Sequence, residues 1–276
     1  MSIYDMNFLE RMLYILEKYG MSFLKGVGVT MTVAVICTAI GCLIGFAVGI
    51  VQTIPAKKSD FILKRFILRL FKVLLSIYVE IFRGTPMMLQ AMFIFYGTSQ
   101  LFHINMTMWP AALLIVSINT GAYMSETVRG GILSIDPGQT EGAKAIGMTH
   151  VQTMLYVILP QALRNIMPQI GNNLIINIKD TCVLSVIGTV EIFFTFRSVA
   201  GALYTYFEAA TIAMIIYFVL TFTCSRILRF LESKMDGPAS FDLATTDTLA
   251  HTSGMYPHPG AYRNGNLNLD SNERGR

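Results

Sequence analysis

Four polar side chains lie within otherwise apolar stretches of the chain: Asn119, Asn172, Asn173 and Asp180. Amides donate and accept hydrogen bonds and a carboxylate accepts them, so such a set could hold a small polar molecule. Polar groups inside membrane spans cost roughly 3 kcal/mol and are functional candidates for that reason. Asn173 and Asp180 are seven residues apart and share one helix face. We predict that these side chains line one cavity, with hydrogen bonding between helices as an equally weighted alternative.

Two further pairs of charged residues have a spacing that favours a structural role. Glu80 and Arg83 are three residues apart, as are Glu126 and Arg129. Opposite charges at this spacing are neighbours on a helix surface. We therefore predict that the partners of each pair bind one another rather than a solute.

The chemistry of the remaining residues argues against an enzyme. The sequence contains no recognisable nucleophile–base pair, catalytic residue or metal-binding cluster, and its cysteines form no CxxC motif. A GxxxxGK[ST] phosphate loop is also absent, so we expect this chain to bind no ATP and to carry no cofactor or metal. Nothing in its charge pattern indicates a nucleic-acid partner.

The composition indicates an all-α integral membrane protein in the lipid bilayer. The chain is 53% hydrophobic and 14% charged, with a mean hydropathy of +0.54, whereas soluble domains carry about 25% charged residues. The stretch from Val27 to Val51 has no charge. It exceeds the ~20 residues that a helix needs to span a bilayer.

We predict about five membrane spans, with the N-terminus outside and the C-terminus in the cytoplasm. Basic residues near span ends mark the cytoplasmic side. They cluster after the first span and after the fifth: Lys57, Lys58, Lys64, Arg65, Arg69 and Lys72, then Arg226, Arg229 and Lys234. The predicted spans cover residues 23–52, 66–100 with a bend at Gly84-Thr85-Pro86, 108–128, 151–178 with Pro160 and Pro168, and 207–231.

These elements divide the chain into three parts. Residues 1–22 are predicted to form an extracytoplasmic amphipathic segment at the membrane surface. Residues 23–235 form the transmembrane domain. Residues 236–276, rich in Gly, Pro, Asn, Ser and Asp, are predicted to be a disordered cytoplasmic tail.

Glycines in the first span recur at four-residue intervals. Gly41, Gly45 and Gly49 lie on one helix face, where the absence of a side chain lets another backbone approach closely. We predict a packing seam, either within the chain or with a partner.

The link between the third and fourth spans carries signals for a defined structure. Asp136 and Pro137 predict a helix start, with Gln139 able to reach back to the cap, and Gly147 predicts the helix end. Thr149 and Gln152 then repeat the start signal. A simple connector needs no such caps, so we interpret this link as two short cytoplasmic helices, or a helix–turn–helix, that dock on another protein.

At these residues the chain resembles the permeases of ABC importers. The stretch EGAKAIG, followed by VILP, is similar to the EAA loop of that family. The resemblance implies that the residues of this loop that couple to the ATPase are Glu141, Gly142, Ala143, Lys144 and Gly147. Gly142 stands where the family usually has Ala. EIFRGTPMMLQ, NTGAYMSETVRGGILSIDPGQ and NIKDTCVLSVIG resemble the polar amino acid permeases of the glutamine, histidine, arginine and cystine type.

The resemblance implies a permease subunit of an ATP-driven amino acid importer in the bacterial cytoplasmic membrane. Its implied partners are a separate ATP-binding cassette ATPase, an extracytoplasmic amino acid-binding protein and a second permease, identical or a sister subunit. The four polar residues would then contact a zwitterionic amino acid. Proline-broken spans also occur in secondary carriers, so a channel or carrier that needs no ATPase remains the alternative.

Overall fold

The computed structural model describes residues 6–55 and 61–235, and these two ranges contain helices and their connections but no strand. The prediction of an all-helical chain is confirmed for this part. The basic residues Lys57 and Lys58, the first five residues and the predicted tail lie outside it. The helices of the first half are α1 (Phe8–Thr53), α2 (Ile62–Gly84), α3 (Met87–Phe102) and α4 (Met108–Leu133).

The second half begins with the short link and ends with a long helix. It consists of α5 (Pro137–Ala145), α6 (His150–Gln152), a π-helix (Thr153–Ile158), α7 (Leu159–Asp180), a 3-10 helix (Thr181–Ile187), α8 (Ile192–Leu203) and α9 (Tyr206–Met235). Gly188, in the left-handed region at φ 87°, ends the 3-10 helix. A bend of 52° separates His150–Ile187 from α8, so the helical path extends beyond the predicted span end at residue 178.

α1 is one helix of 46 residues, about 69 Å long, and the predicted boundary at residue 22 falls inside it. Its first turns pack against the α8–α9 region. Ile15 is buried in a cluster with Phe196 and Ala209. Arg11 forms an ion pair of 3.1 Å with Glu208. These contacts hold the first turns of α1 against other helices. As a result, α1 is longer than a helix needs to be to span a bilayer.

The glycine seam lies within the chain, between α1 and α4. A Cβ atom added at Gly45 would overlap Met124 Cβ, and one at Gly41 would stand 2.6 Å from Thr120 Cβ. At Gly49 it would meet Ser125 O at 2.8 Å. The predicted seam is thus confirmed, and it brings the backbones of α1 and α4 closer than any side chain would allow.

The predicted bend at Thr85-Pro86 is the break between α2 and α3, and Gln90 stabilises it. Proline cannot donate a backbone hydrogen bond, so carbonyl groups at the end of α2 need other donors. The Gln90 amide donates to Phe82 O at 3.0 Å and to Thr85 O at 2.9 Å. Gln90 is buried, and it was not singled out in the sequence.

We expect Gln90→Leu to destabilise the protein by about 1–3 kcal/mol, because it removes the amide that donates to Thr85 O and leaves the buried Asn119 amide without one of its acceptors. The measurement is thermal unfolding in detergent. Gln100→Leu serves as the control, since Gln100 is an exposed glutamine on the same helix. Equal melting temperatures for both variants would contradict the role of Gln90.

The π-helix accommodates Pro160 in the fourth predicted span. Leu159 N–H donates to Met154 O, five residues back, which shifts the bonding pattern just before the proline. The Gln161 side chain donates to Val157 O at 2.7 Å. The chain therefore stays helical through Pro160, where a normal helix would lose a hydrogen bond.

By length and apolar composition, two described helices can cross a membrane, Phe8–Thr53 and Tyr206–Lys234. The bent pair His150–Ile187 and Ile192–Leu203 makes a third if it counts as one span. Helices such as α4 bury polar residues, among them Asn119 and Thr120, inside the bundle. Composition alone thus identifies fewer spans than the five predicted.

Candidate functional site

The link helix α5 is defined at both ends by its own sequence. Asp136 accepts a hydrogen bond from Gly138 N–H, and Pro137 is the first helical residue. At the other end Gly147 has φ +84°, its N–H donates to Lys144 O at 3.0 Å, and Met148 N–H donates to Ala143 O at 3.1 Å. This pair of bonds is the Schellman termination that glycine favours. Both predicted caps are confirmed.

The second cap follows directly. Thr149 Oγ1 accepts from Gln152 N–H at 3.3 Å, and Gln152 Oε1 accepts from Thr149 N–H at 2.8 Å. Gln139, however, does not reach back to its cap but accepts from Gln161 at 3.4 Å. Its side chain therefore connects α5 to α7, which the sequence did not indicate.

Of the five predicted coupling residues, one is buried and four are exposed. Ala143 is buried, and α5 packs against the π-helix. Glu141, Gly142, Lys144 and Gly147 are exposed, and a Cβ atom at either glycine would meet no atom within 4 Å. Beside them Ile146 is 80% exposed. An ordered helix thus presents a slim polar edge and one large apolar side chain to its surroundings.

Two of the four polar candidates are used in bonds between or within helices. The Asn119 amide donates to Phe82 O at 3.1 Å and to Gln90 Oε1 at 3.0 Å. The Asn173 amide donates to Met124 Sδ and to Gln169 O, each at 3.1 Å. Both side chains are buried, as the helix-bonding alternative predicts.

The other two candidates keep their polar groups available. Asn172 is exposed and Asp180 is partly exposed on α7. Neither side chain makes a hydrogen bond within residues 6–55 and 61–235. α7 runs unbroken from Leu159 to Asp180, so Asn173 and Asp180 share a face, although Asn173 is turned into the bundle.

A buried polar junction that was not predicted joins α1, α4 and α7. Asn177 donates to Thr38 Oγ1 at 2.8 Å and accepts from Thr120 Oγ1 at 3.1 Å. Its position one turn after Asn173 was the available signal, because helix positions four residues apart share a face. The junction fixes α7 against the glycine seam.

A second group of polar residues surrounds a cavity of about 370 Å³ between α1, α2 and α4. Glu126 accepts from Arg129 at 2.9 and 3.2 Å, as predicted. The predicted pairing of Glu80 with Arg83 is wrong, because the Arg83 guanidinium lies 3.6 Å from Glu126 instead. It also lies over the Tyr123 ring. Glu80 lines the cavity, with no ion pair in the described part of the chain.

These charged side chains are not sealed inside the subunit. Arg83 is 43% exposed and Glu126 29% exposed, on helices that also expose many large apolar residues. Charges that face lipid are costly, and in membrane proteins they border water or another polypeptide. With carboxylates and guanidiniums side by side, the cavity can hold a small zwitterion.

The family of the chain is shown by comparison with known proteins. Residues 61–237 match the family described as "Binding-protein-dependent transport system inner membrane component". The arginine transport system permease protein ArtQ of Bacillus subtilis (strain 168) is 34% identical over 212 residues, which cover 77% of this chain and 91% of ArtQ. The glutamine transport system permease protein GlnP of Escherichia coli (strain K12) is 33% identical over 213 residues, 77% of this chain and 92% of GlnP.

Solved structures give the same result. A crystal structure of an amino acid ABC transporter with histidines matches with a TM-score of 0.71 and 34% identity, over 83% of this chain and 99% of that one. The MetNI methionine ABC transporter, at 20% identity, matches with a TM-score of 0.60 over 77% of this chain and 97% of that one, which shows the fold alone. The described residues of this chain form an all-helical fold with membrane-type helices, and the chain belongs to the binding-protein-dependent inner membrane components and is the permease component of an amino acid ABC transporter.

Proposed function

We propose that the chain couples amino acid import to a separate ATPase through α5. The observation that carries this proposal is an ordered helix, capped at both ends, whose Glu141, Gly142, Lys144 and Gly147 are exposed beside Ile146. An isolated helix of nine residues is unstable in water. Here its caps and its packing on the π-helix hold it rigid, as a docking element requires.

The proposed topology has five spans, with the N-terminus outside and the C-terminus in the cytoplasm. They are α1, α2 with α3, α4, the path His150–Ile187, and α9, in the bacterial cytoplasmic membrane. Residues 1–22 form the extracytoplasmic part, residues 23–235 the permease domain and residues 236–276 a cytoplasmic tail. The basic residues after α1 and at the end of α9 support this orientation.

The proposed complex contains two permeases, identical or sister subunits, and two ATPase subunits that bind the ATP. An extracytoplasmic binding protein delivers the amino acid. Closure of the ATPase pair moves α5, and the permease pair alternates between inward-facing and outward-facing states. In this proposal the permease chain itself binds no cofactor.

We place the substrate path on the surface that carries the charged cavity and on the open side of α7. Glu80 offers an acceptor to the amino acid ammonium, and Arg83 offers donors to its carboxylate. Asn172 and Asp180 are the candidates on α7 with available polar groups. Asn119 and Asn173 contribute by positioning α4 and α7.

Asp180→Asn is expected to reduce amino acid uptake by roughly tenfold while the complex still assembles, because a hydrogen bond to a charged group contributes about 1.5–3 kcal/mol. Uptake into proteoliposomes and co-purification of the ATPase are measured together. Glu17→Gln is the control, since it removes an exposed carboxylate from α1. Equal uptake by Asp180→Asn and the parent would remove Asp180 from the path.

The direct test of the function is mild purification of the tagged chain from its host, with mass spectrometry of the proteins that accompany it. An ATPase subunit in stable proportion is the expected result. A chain that is purified alone, and moves solute in vesicles without ATP, would instead establish the channel or carrier alternative.

A further inference from the structure

The first three turns of α2 are open to their surroundings along their whole length. Phe61 is 88% exposed and Phe66 63% exposed, and no residue from 61 to 72 is buried. α2 makes its contacts with α4 later, where Tyr78 donates to Ile118 O at 2.7 Å and Val79 is buried. The start of the helix therefore faces something other than the described bundle.

Basic residues occupy one face of this stretch. Arg65, Arg69 and Lys72 are spaced at i, i+4 and i+7, which places them on one side of the helix. The Lys72 ammonium lies between Gln52 O at 2.7 Å and Ile54 O at 2.6 Å, at the end of α1. Arg65 and Arg69 have no ion pair within the described ranges, and the sequence from 61 to 79 contains no Asp or Glu. We call Arg65 and Arg69 the basic surface of α2.

Exposed apolar residues occupy another face and continue along the helix. They recur at helical spacing: Phe66, Leu70, Val73, Ile77 and Ile81. A helix with a basic face and an exposed apolar face lies at a membrane surface, with its apolar side in the acyl region. The apolar face runs from the basic surface to the break at residue 85. In the proposed topology, this face carries the helix into the bilayer and leaves its arginines at headgroup level.

We propose that the basic surface of α2 binds the phosphate headgroups of anionic phospholipids. Guanidinium groups match phosphate oxygens in a bidentate geometry. Positive side chains beside a membrane-entering helix are attracted to the anionic leaflet, each increasing lipid affinity about fivefold. Lys72 anchors the stretch to the end of α1, so lipid binding orients the α1–α2 connection. The proposal does not depend on the transported substrate.

The test compares lipid selectivity of the full chain in vesicles that contain phosphatidylcholine and spin-labelled phosphatidylglycerol. Electron paramagnetic resonance measures how strongly the protein immobilises the labelled lipid. We expect the double variant R65Q/R69Q to lose most of the selectivity for phosphatidylglycerol over spin-labelled phosphatidylcholine. The matched control is R226Q/R229Q, which removes two exposed arginines from α9 and lowers the net charge equally.

The control separates a local site from a general charge effect. Unchanged selectivity in R65Q/R69Q, or an equal loss in both double variants, would overturn the proposal. If R65Q/R69Q keeps its lipid selectivity but loses a co-purifying ATPase, the basic surface contacts protein and the lipid assignment is wrong. If α5 variants lose ATPase docking but keep their lipid selectivity, that result tests the proposed coupling role of α5 and leaves the lipid site supported.

Discussion

A Gly147→Arg variant is expected to insert and fold but to lose its ATPase and its transport. Gly147 sits at φ +84°, where a side chain costs about 1–2 kcal/mol, and its surroundings are open. The arginine therefore fits in the isolated subunit. It adds bulk and positive charge beside Lys144, on the edge of α5 that we propose to enter the ATPase. ATPase co-purification and uptake in proteoliposomes measure the loss.

Two control variants separate backbone strain from obstruction. Gly147→Asn introduces a residue that tolerates the left-handed region. Its side chain is small, so docking is expected to persist. Gly142→Ala fills open space and increases helix propensity by up to about 1 kcal/mol, so it should retain full transport. Normal transport by Gly147→Arg would refute the role of this link.

The second large effect is expected at the glycine seam, where Gly45→Leu should prevent the bundle from forming. A Cβ atom at residue 45 would stand 2.8 Å from Met124 C and 3.0 Å from Ser125 N. Backbone atoms cannot turn aside as a flexible side chain can, so α1 and α4 must separate along the seam. Overpacking of a core costs about 1–3 kcal/mol even where side chains can adjust. We expect the variant to be degraded or aggregated, as measured by monodisperse yield and melting temperature in detergent.

The same helix supplies the control for this prediction. Gly28 lies on α1, and a Cβ atom added there would meet no atom within 4 Å. Gly28→Leu is therefore the same substitution as Gly45→Leu but causes no clash. Gly45→Ala should give an intermediate loss of stability. A Gly45→Leu protein as stable as Gly28→Leu would show that the seam is not a tight contact.

The features that were predicted correctly depend on residues close together in the sequence. The caps of α5 require only Asp136, Pro137 and Gly147 with their immediate neighbours, because helix ends are satisfied within about four residues. The break at Pro86 and the Glu126–Arg129 pair are equally local. Composition and the motif of the link were also sufficient to indicate a membrane permease before any fold was known.

The sequence by itself thus determined the helical character of the chain, the ends of α5 and the family, whereas the tertiary structure decided which polar groups remain available. Glycine spacing predicted a seam, but only packing showed that α4 fills it. Arg83 pairs with Glu126 on another helix rather than with Glu80. The Asn119 amide donates a hydrogen bond to Phe82 O near the α2–α3 break, 37 residues earlier in the chain. Hydrogen bonds between distant segments depend on how helices meet, and spacing along one helix does not contain that information.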